Sequence, residues 1–183
     1  MAELQKKLLL HTCCAPCACG CLEKLEGREI TLFFSNSNLN SREEYEKRLE
    51  NVRIFAERFS FPLLIDPYDH QAWLEQVSGI PDYENAPERG IRCGACFKFS
   101  LGRTAKAAEK LDMNFATTLT VSPHKNSKLI FSIGAECSPR FEPIDFKKND
   151  GFLKSLRLSR ELGLYRQDFC GCEFSRQNRK DNL

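Results

Sequence analysis

Short apolar runs alternate with amphipathic stretches along this chain, which is the pattern of a parallel sheet whose strands are joined by helical crossovers. The apolar runs predict five strands, at residues 7–11, 30–34, 61–65, 115–121 and 141–144. The amphipathic stretches predict helices at residues 16–25, 70–77, 96–111, 126–136 and 151–162, besides a longer one after the second strand. We therefore expect an α/β fold of the Rossmann-like (HUP-like) class, with a mostly parallel five-stranded sheet and helices on both faces.

The helix after the second strand has the clearest sequence signals. Ser41 and Glu44 have the spacing of a capping box, in which each side chain satisfies a backbone amide at the helix start. Glu44 and Arg48 are expected to pair on the exposed side of this helix. Hydrophobic residues at helical spacing predict its buried face: Tyr45, Leu49, Val52, Phe55 and Phe59.

Length and composition limit the classes of protein that are possible. The chain has 183 residues, a formal net charge of +2, 42% hydrophobic residues and 28% charged residues. At ~100–200 residues per domain, this length predicts one domain, with an insertion at residues 66–92 and a C-terminal segment at 164–175. The composition excludes a disordered tail and a collagen-like repeat. No apolar run approaches the ~20 residues of a membrane helix and no export signal opens the chain, so we expect a cytoplasmic protein without a membrane partner.

The ten cysteines are the unusual feature of the composition. They are bunched into groups: Cys13, Cys14, Cys17, Cys19 and Cys21, then Cys93 and Cys96, then Cys137, and finally Cys170 and Cys172. In a reducing compartment, clustered thiols indicate metal binding or redox chemistry more often than structural disulfides. The first group directly follows the first predicted strand, at the edge of the sheet where ligands bind in such folds.

Four thiolates satisfy either a zinc ion or an iron–sulfur cluster, and the spacing leaves two ligand sets open. Cys14 and Cys17 together with Cys93 and Cys96 would form a tetrahedral zinc site, which spacing alone slightly favours. Cys13 in place of Cys17 would suit a wider cubane cluster.

The remaining cysteines are of two kinds. Cys170 and Cys172 are separated by one glycine, so that their oxidation would close a small strained ring, and strained disulfides are labile and redox-active. Cys19, Cys21 and Cys137 are predicted to pack as small hydrophobic residues instead.

Five separated motifs in this chain occur together, in the same order, in a known family. They are HTCCAPC at residues 11–17, RCGACF at 92–97, TLTVSPHKN at 118–126, DFKK at 145–148 and LYRQDFCGCEFS at 164–175. Over about residues 8–175 the chain resembles the QueH family of epoxyqueuosine reductases. The resemblance implies a Rossmann-like iron–sulfur enzyme that reduces the epoxide of epoxyqueuosine in the tRNA anticodon, the last step of queuosine synthesis.

The resemblance also implies roles for six cysteines. The family's 4Fe–4S ligands fall on Cys13, Cys14, Cys93 and Cys96, and its catalytic, redox-active pair, able to form a disulfide, falls on Cys170 and Cys172. The chain departs from the family at residues 36–41, where NSNLNS replaces the frequent Asn-Pro-Asn-Ile-His-Pro. No role is assigned here to that missing histidine.

The implied reaction sets chemical requirements on the site. Removal of an epoxide oxygen to leave an alkene consumes two electrons and two protons, and no ordinary side chain supplies the electrons. A cluster or a dithiol must therefore supply them, fed by an electron donor that the sequence does not identify. We hypothesise that Cys17, Cys170 or Cys172 binds an additional iron ion, which would act as a Lewis acid on the epoxide oxygen.

Proton donors and RNA contacts are predicted near the ligand-binding edge. His124, Asp168 and Tyr165 are candidate acids, whereas His11 is predicted to be a core histidine. The candidate phosphate contacts for tRNA are Lys147, Lys148, Lys154, Arg157, Arg160, Arg166, Arg176 and Arg179. The candidate base-stacking residues are Phe169, Phe174 and Tyr165.

Two alternative functions are compatible with the same residues. One is a zinc-stabilised tRNA-binding module without catalysis, and the other is a cluster-free thiol–disulfide oxidoreductase built on Cys170 and Cys172. Metal content distinguishes them. Iron with acid-labile sulfide supports the reductase, one zinc ion supports the binding module, and redox activity that survives chelators supports the oxidoreductase.

Overall fold

Four parallel strands form the central sheet of this computed structural model, which describes residues 6–175. They are β1 (Lys7–Thr12), β2 (Glu29–Phe34), β3 (Leu63–Ile65) and β4 (Asn114–Thr117), in the spatial order β3-β2-β1-β4. Every neighbouring pair of strands is parallel. The chain runs outward from β1 to β3 and then returns to the other side of β1. In Rossmann-like sheets this reversal opens a crevice at the carboxyl ends of the two strands on either side of it, here β1 and β4.

Helices connect and cover the strands. They are α1 (Ala15–Cys19), α2 (Arg42–Phe59), α3 (His70–Ser78), α4 (Ile91–Lys110), α5 (Ser127–Cys137) and α6 (Gly151–Glu161). Short 3₁₀ turns at Leu22–Leu25 and Thr118–Val121 follow α1 and β4. Between residues 6 and 175, none of the helices combines the length and the apolar character that crossing a bilayer requires.

Alternate residues of β1 point to opposite faces of the sheet and enter two separate hydrophobic cores. Leu8 and Leu10 pack in a core with residues of α1 and α2, including Ala18 and Val52. Leu9 packs in a second core with residues of α4 and α5. The predicted α/β class, with helices on both faces of a parallel sheet, is confirmed.

The predicted insertion contributes a third, smaller core. The helix predicted at residues 70–77 is present as α3, and its residues Trp73 and Val77 are buried against Phe99 of α4 and Phe174 of the C-terminal segment. This helix therefore packs both on α4 and on the end of the described chain.

The fifth predicted strand, at residues 141–144, is wrong. Phe141 forms only an isolated parallel bridge with Phe115 of β4. Pro143 follows and has no N–H to donate to a ladder, while the N–H of Ile144 turns back to the carbonyl two residues earlier (2.9 Å). Pairing therefore stops after one bridge, and the sheet of the described residues has four strands.

The fourth strand is shorter than predicted because a side chain ends it. The Thr117 hydroxyl accepts a hydrogen bond from the N–H of Leu119 (3.2 Å), which begins the 3₁₀ turn. Thr120 then donates its hydroxyl to the Ile144 carbonyl (2.9 Å) and so closes the loop over the sheet edge. The strand predicted at residues 115–121 therefore ends at Thr117.

Only one of the two hydrogen bonds of the predicted capping box forms at the start of α2. Ser41 Oγ accepts a hydrogen bond from the N–H of Glu44 (3.3 Å), but the Glu44 carboxylate accepts from Arg48 Nε (2.7 Å) instead of returning to the cap. The prediction that this pair is exposed is wrong, since the two side chains are 9% and 4% exposed. The C-terminal segment covers them, because Arg48 donates to the carbonyls of Phe169 and Cys170.

The helix predicted at residues 16–25 divides at Gly20, where α1 approaches α6. A Cβ on Gly20 would lie 2.7 Å from the Gly151 carbonyl oxygen. A Cβ on Gly151 would lie 1.7 Å from the Phe146 carbonyl oxygen. Both neighbours are backbone atoms, which cannot give way by a rotamer change, so this contact requires glycines.

We expect Gly151→Ala to lower the free energy of unfolding by ~1–3 kcal/mol, because the methyl group forces the backbone apart. The matched control is Gly102→Ala in α4, where a Cβ has no neighbour within 4 Å. That variant should be more stable by up to ~1 kcal/mol, through helix propensity. Urea unfolding of both variants measures the difference. Equal effects of the two substitutions would contradict the close approach of the Phe146 carbonyl to Gly151.

Candidate metal and redox site

A pocket of about 620 Å³ lies at the switch point between β1 and β4. The cysteines that line it are Cys13, Cys14, Cys17, Cys96 and Cys170. The first three follow β1 directly, the fourth comes from α4 and the fifth from the C-terminal segment. Three distant parts of the chain therefore contribute thiols to one pocket.

Three of these thiols form a close group, the cysteine triad of Cys13, Cys14 and Cys17. Their Sγ atoms all lie within 4.8 Å of one another, and those of Cys13 and Cys14 are 3.9 Å apart. Cys14 is the N-cap of α1 and Cys17 lies three residues later, which brings the two side chains to one face of the helix. Thiolates in such an arrangement are ligands for zinc, copper(I) and iron–sulfur clusters.

Residues from two neighbouring strand ends hold the backbone of the triad. The N–H of Cys13 donates to Thr118 Oγ1 (3.1 Å), and its Sγ lies 3.3 Å from the same hydroxyl. Asn36, after β2, donates to the Cys13 carbonyl (3.0 Å). The loop between β1 and α1 is thus tied to the carboxyl ends of β2 and β4.

Hydrogen bonding within the triad favours the thiolate form of Cys14 over those of Cys13 and Cys17. Hydrogen bonds from Cys13 and Cys17 lower the pKa of the Cys14 thiol well below its ordinary value. The hydrogen bond with Cys14 raises the pKa of Cys13 to about 12, and contact with Cys13 raises that of Cys17 as well. A bound cation is therefore needed to make all three sulfur atoms thiolates at neutral pH.

The Cys-x-x-Cys motif lies at the start of α4. The helix begins at Ile91, not at residue 96 as predicted, because the N–H of Cys93 donates to the Gly90 carbonyl (3.1 Å) and so extends the helical bonding upstream. Cys96 lines the pocket. Cys93 lies almost one turn earlier, where its Sγ accepts a hydrogen bond from the N–H of Arg89 (3.2 Å).

The surroundings of Cys96 fit a sulfur atom bound to a metal. Burial raises the pKa of the Cys96 thiol well above its ordinary value, and that of Cys93 is raised by burial too. The buried indole N–H of Trp73 has no oxygen or nitrogen partner among the described residues, and it opposes the rise in the Cys96 pKa. Hydrogen bonds to cluster sulfur atoms are among the features that tune such centres. The donor set therefore fits a thiolate-bound metal or cluster.

The Cys-Gly-Cys turn (residues 170–172) places its two sulfur atoms in different surroundings. Cys170 lines the pocket, whereas Cys172 packs in the third core beside Trp73. Gly171 between them has a φ of +114°, a backbone conformation that favours glycine. All ten cysteines are free thiols, so the disulfide between Cys170 and Cys172 stays a prediction.

Positive charge dominates the pocket. Its charged residues are Arg48, Arg89, Lys125 and Arg166, against Glu88 and Asp168. Burial alone would lower the pKa of Lys125, but the nearby cysteines, Cys170 first, raise it above its ordinary value. Lys125 was not selected from the sequence, although its place directly after His124, on the loop that follows β4, was a usable signal.

The candidate proton donors differ in how they are engaged. His124 is exposed and lines the pocket, and its Nδ1 accepts a hydrogen bond from Arg89 (3.0 Å), which leaves the proton of the neutral ring on Nε2. Asp168 also lines the pocket. The Tyr165 hydroxyl is already donated to Glu44 (3.1 Å).

His11 is the core histidine that was predicted. It is 1% exposed, its Nε2 lies 3.1 Å from the Ser35 carbonyl and its Nδ1 lies 2.8 Å from the Thr117 hydroxyl. Burial lowers the pKa of His11 to about 4. The ring is therefore neutral at pH 7, with Nε2 donating to Ser35 and Nδ1 accepting from Thr117.

The predicted RNA contacts are distributed unevenly. Arg166 lines the pocket, whereas Lys154 and Arg157 form ion pairs with acidic neighbours. Arg176 and Arg179 lie outside the described residues.

The predicted stacking residues differ in accessibility. Phe169 lines the pocket, and Tyr165 has Lys47 Nζ 3.8 Å from its ring centre. The prediction for Phe174 is wrong, because this residue is 7% exposed and packs in the third core.

The fold and this pocket define an α/β protein with a parallel sheet, whose crevice at the strand ends is lined with thiols able to hold a metal. Residues 8–178 match the family model described as epoxyqueuosine reductase QueH. The chain belongs to this family.

Curated relatives agree with that assignment. An epoxyqueuosine reductase QueH of Streptococcus pyogenes is 36% identical over 94% of this chain and 71% of its own length. The protein of the same name from Thermotoga maritima is 35% identical over 95% of this chain and 92% of its own length. A third, from Staphylococcus aureus, is 34% identical over 94% of this chain and 76% of its own length.

Proposed function

We propose that this protein reduces the epoxide of epoxyqueuosine in tRNA to give queuosine, the last step of queuosine synthesis. The observation that carries the proposal is the meeting of the cysteine triad, Cys96 and Cys170 in one electropositive pocket. Membership of the family supplies the reaction, and the pocket offers the thiols that a reductive step needs. Its positive charge suits a polyanionic RNA substrate.

We propose a 4Fe–4S cluster as the cofactor, with Cys13, Cys14, Cys93 and Cys96 as its ligands. Support comes from the contact between the thiols of Cys13 and Cys14 and from the place of Cys96 in the same pocket. When bound, such a cluster would supply low-potential electrons. Cys17 belongs to the triad but not to this ligand set, so it is a candidate ligand, as are Cys170 and Cys172, for the second iron ion that we hypothesise.

The side chains around the pocket have separate proposed roles. As the carbon–oxygen bond breaks, the positive charge of Lys125 stabilises the negative charge that develops on oxygen. His124, with Arg89 bonded to its Nδ1, offers its Nε2–H as a hydrogen-bond donor to this oxygen. Two electrons in all break both carbon–oxygen bonds of the epoxide, and the oxygen takes two protons from solvent and leaves as water. Cys170 and Cys172 pass electrons by cycling between dithiol and disulfide.

The test is anaerobic incubation of the metal-loaded protein and a chemical reductant with tRNA bearing epoxyqueuosine. Mass analysis of the nucleosides should show loss of one oxygen atom from that base. The protein should also contain iron and acid-labile sulfide. An unchanged base in the presence of an intact cluster and a competent reductant would refute the reductase. One zinc ion per chain without iron would support the binding module instead.

A further inference from the structure

A buried arginine of α2 holds the chain just before the Cys-Gly-Cys turn. Arg48 Nη1 donates to the carbonyl of Cys170 (2.9 Å), and its Nη2 donates to the carbonyl of Phe169 (3.3 Å). These residues are separated by more than 120 positions in the chain. One planar guanidinium thus binds two successive carbonyl groups in a forked geometry.

The guanidinium is itself fixed from the other side. Arg48 Nε donates to Glu44 (2.7 Å), one helical turn earlier, and the Glu44 carboxylate also accepts from the Tyr165 hydroxyl (3.1 Å). The Arg48 side chain is 4% exposed, so water does not compete for these bonds. All three guanidinium nitrogen atoms of Arg48 are hydrogen-bonded, and Tyr165 holds the Glu44 carboxylate that pairs with it. These bonds together hold the Arg48 side chain in one conformation.

The Cys-Gly-Cys turn is packed closely against Arg48 and is held by further hydrogen bonds. The Gly171 carbonyl accepts from the N–H of Asn40 (3.2 Å), and the Gly171 N–H donates to Ser175 Oγ (3.1 Å). A Cβ on Gly171 would lie 3.0 Å from Arg48 Nη2 and 2.2 Å from Leu39. Arg48 is therefore the charged group against which the turn is packed.

We propose that Arg48 is a positioning residue for the reaction, one that holds Cys170 in the pocket while Cys172 faces the third core. The proposal rests on the proposed function, because it concerns the delivery of Cys170 to that site. Arg48 lines the pocket, but its guanidinium is engaged by Glu44 and by two backbone carbonyl groups. It acts through the carbonyl groups of residues 169 and 170.

Arg48→Lys is the informative variant, since lysine keeps a positive charge beside Glu44 but lacks the fork that binds both carbonyls. The matched control is Arg53→Lys on the same helix, whose side chain is 49% exposed. Both full-length proteins are alkylated with iodoacetamide as purified, and peptide mass analysis gives the rates at Cys170 and Cys172. Thermal unfolding and steady-state kinetics with epoxyqueuosine tRNA complete the comparison.

We expect Arg48→Lys to change the ratio of the two alkylation rates by at least about threefold, because thiol reactivity follows local environment and exposure. We expect kcat to fall by about 10-fold to 100-fold, as for a small misplacement of a reacting group, with KM for tRNA nearly unchanged. Arg53→Lys should match the parent protein in every measurement.

The outcomes separate positioning from a purely structural role. A lower Tm with an unchanged alkylation ratio and unchanged kcat would overturn the proposal, because Arg48 would then only stabilise the fold. A parent protein that carries its cluster but lacks reductase activity would refute the proposed function. The alkylation ratio would still decide whether Arg48 positions Cys170.

Discussion

A Cys14→Ser protein is expected to lose its iron, and its reductase activity should fall by more than about 100-fold. Loss of a residue that only hydrogen-bonds to a metal ligand costs about 10-fold to 100-fold, so loss of a ligand itself should cost more. Cys14 is 2% exposed, and it is the member of the triad whose thiolate form is favoured. A serine hydroxyl does not ionise at neutral pH and is a poor ligand for a metal that prefers sulfur.

Cys137→Ser is the matched control for this experiment. Cys137 ends α5, is half-buried and packs against the second core, outside the pocket lining. Iron and acid-labile sulfide per chain, together with nucleoside analysis, are measured for both variants. Full iron content in Cys14→Ser would remove Cys14 from the ligand set, and equal losses in both variants would show that the effect is not specific to the pocket.

Gly171→Ala is expected to reduce reductase activity by more than about tenfold, while the sheet and its helices remain folded. Alanine at a φ of +114° is strained by ~1–3 kcal/mol, and its methyl group would meet Leu39 at 2.2 Å and Arg48 at 3.0 Å. The turn must therefore move, and Cys170 moves with it.

Gly163→Ala separates backbone strain from displacement of the turn. Gly163 also has a positive φ, +63°, but a Cβ there has no neighbour within 4 Å. This control should lose ~1 kcal/mol of stability through the left-handed backbone and keep its activity. Circular dichroism, urea unfolding and the nucleoside assay provide the comparison. Equal activity of the two variants would contradict a role for the geometry of the turn.

Several features of the fold were predictable because they depend on residues close in sequence. Ser41 accepts the amide of Glu44 at the start of α2, as its motif predicted. The inward residues of α2 follow the helical period and are buried, as Tyr45 and Val52 show. Backbone hydrogen bonding within a few residues decides such elements, so the local pattern is sufficient.

Features that depend on distant partners were missed or left open. Arg48 looked like the exposed half of a helical ion pair, but carbonyl groups from the far end of the chain bury it. The segment after Arg140 looked like a strand, but Pro143 and a tight turn leave it one bridge. The spacing of the cysteines also left open whether Cys17 belongs with Cys13 and Cys14, and the turn at the start of α1 groups all three.

By itself, the sequence determined the class of fold, the helix faces and the cysteine motifs that identify the family, because periodicity, capping and motif spacing are properties of neighbouring residues. Only the tertiary structure decided which thiols share a pocket, that Lys125 lies among them and that Arg48 supports Cys170. Those relations join strand ends and loops more than 100 positions apart. Chain crossing and packing set their distances, which spacing along the chain does not determine.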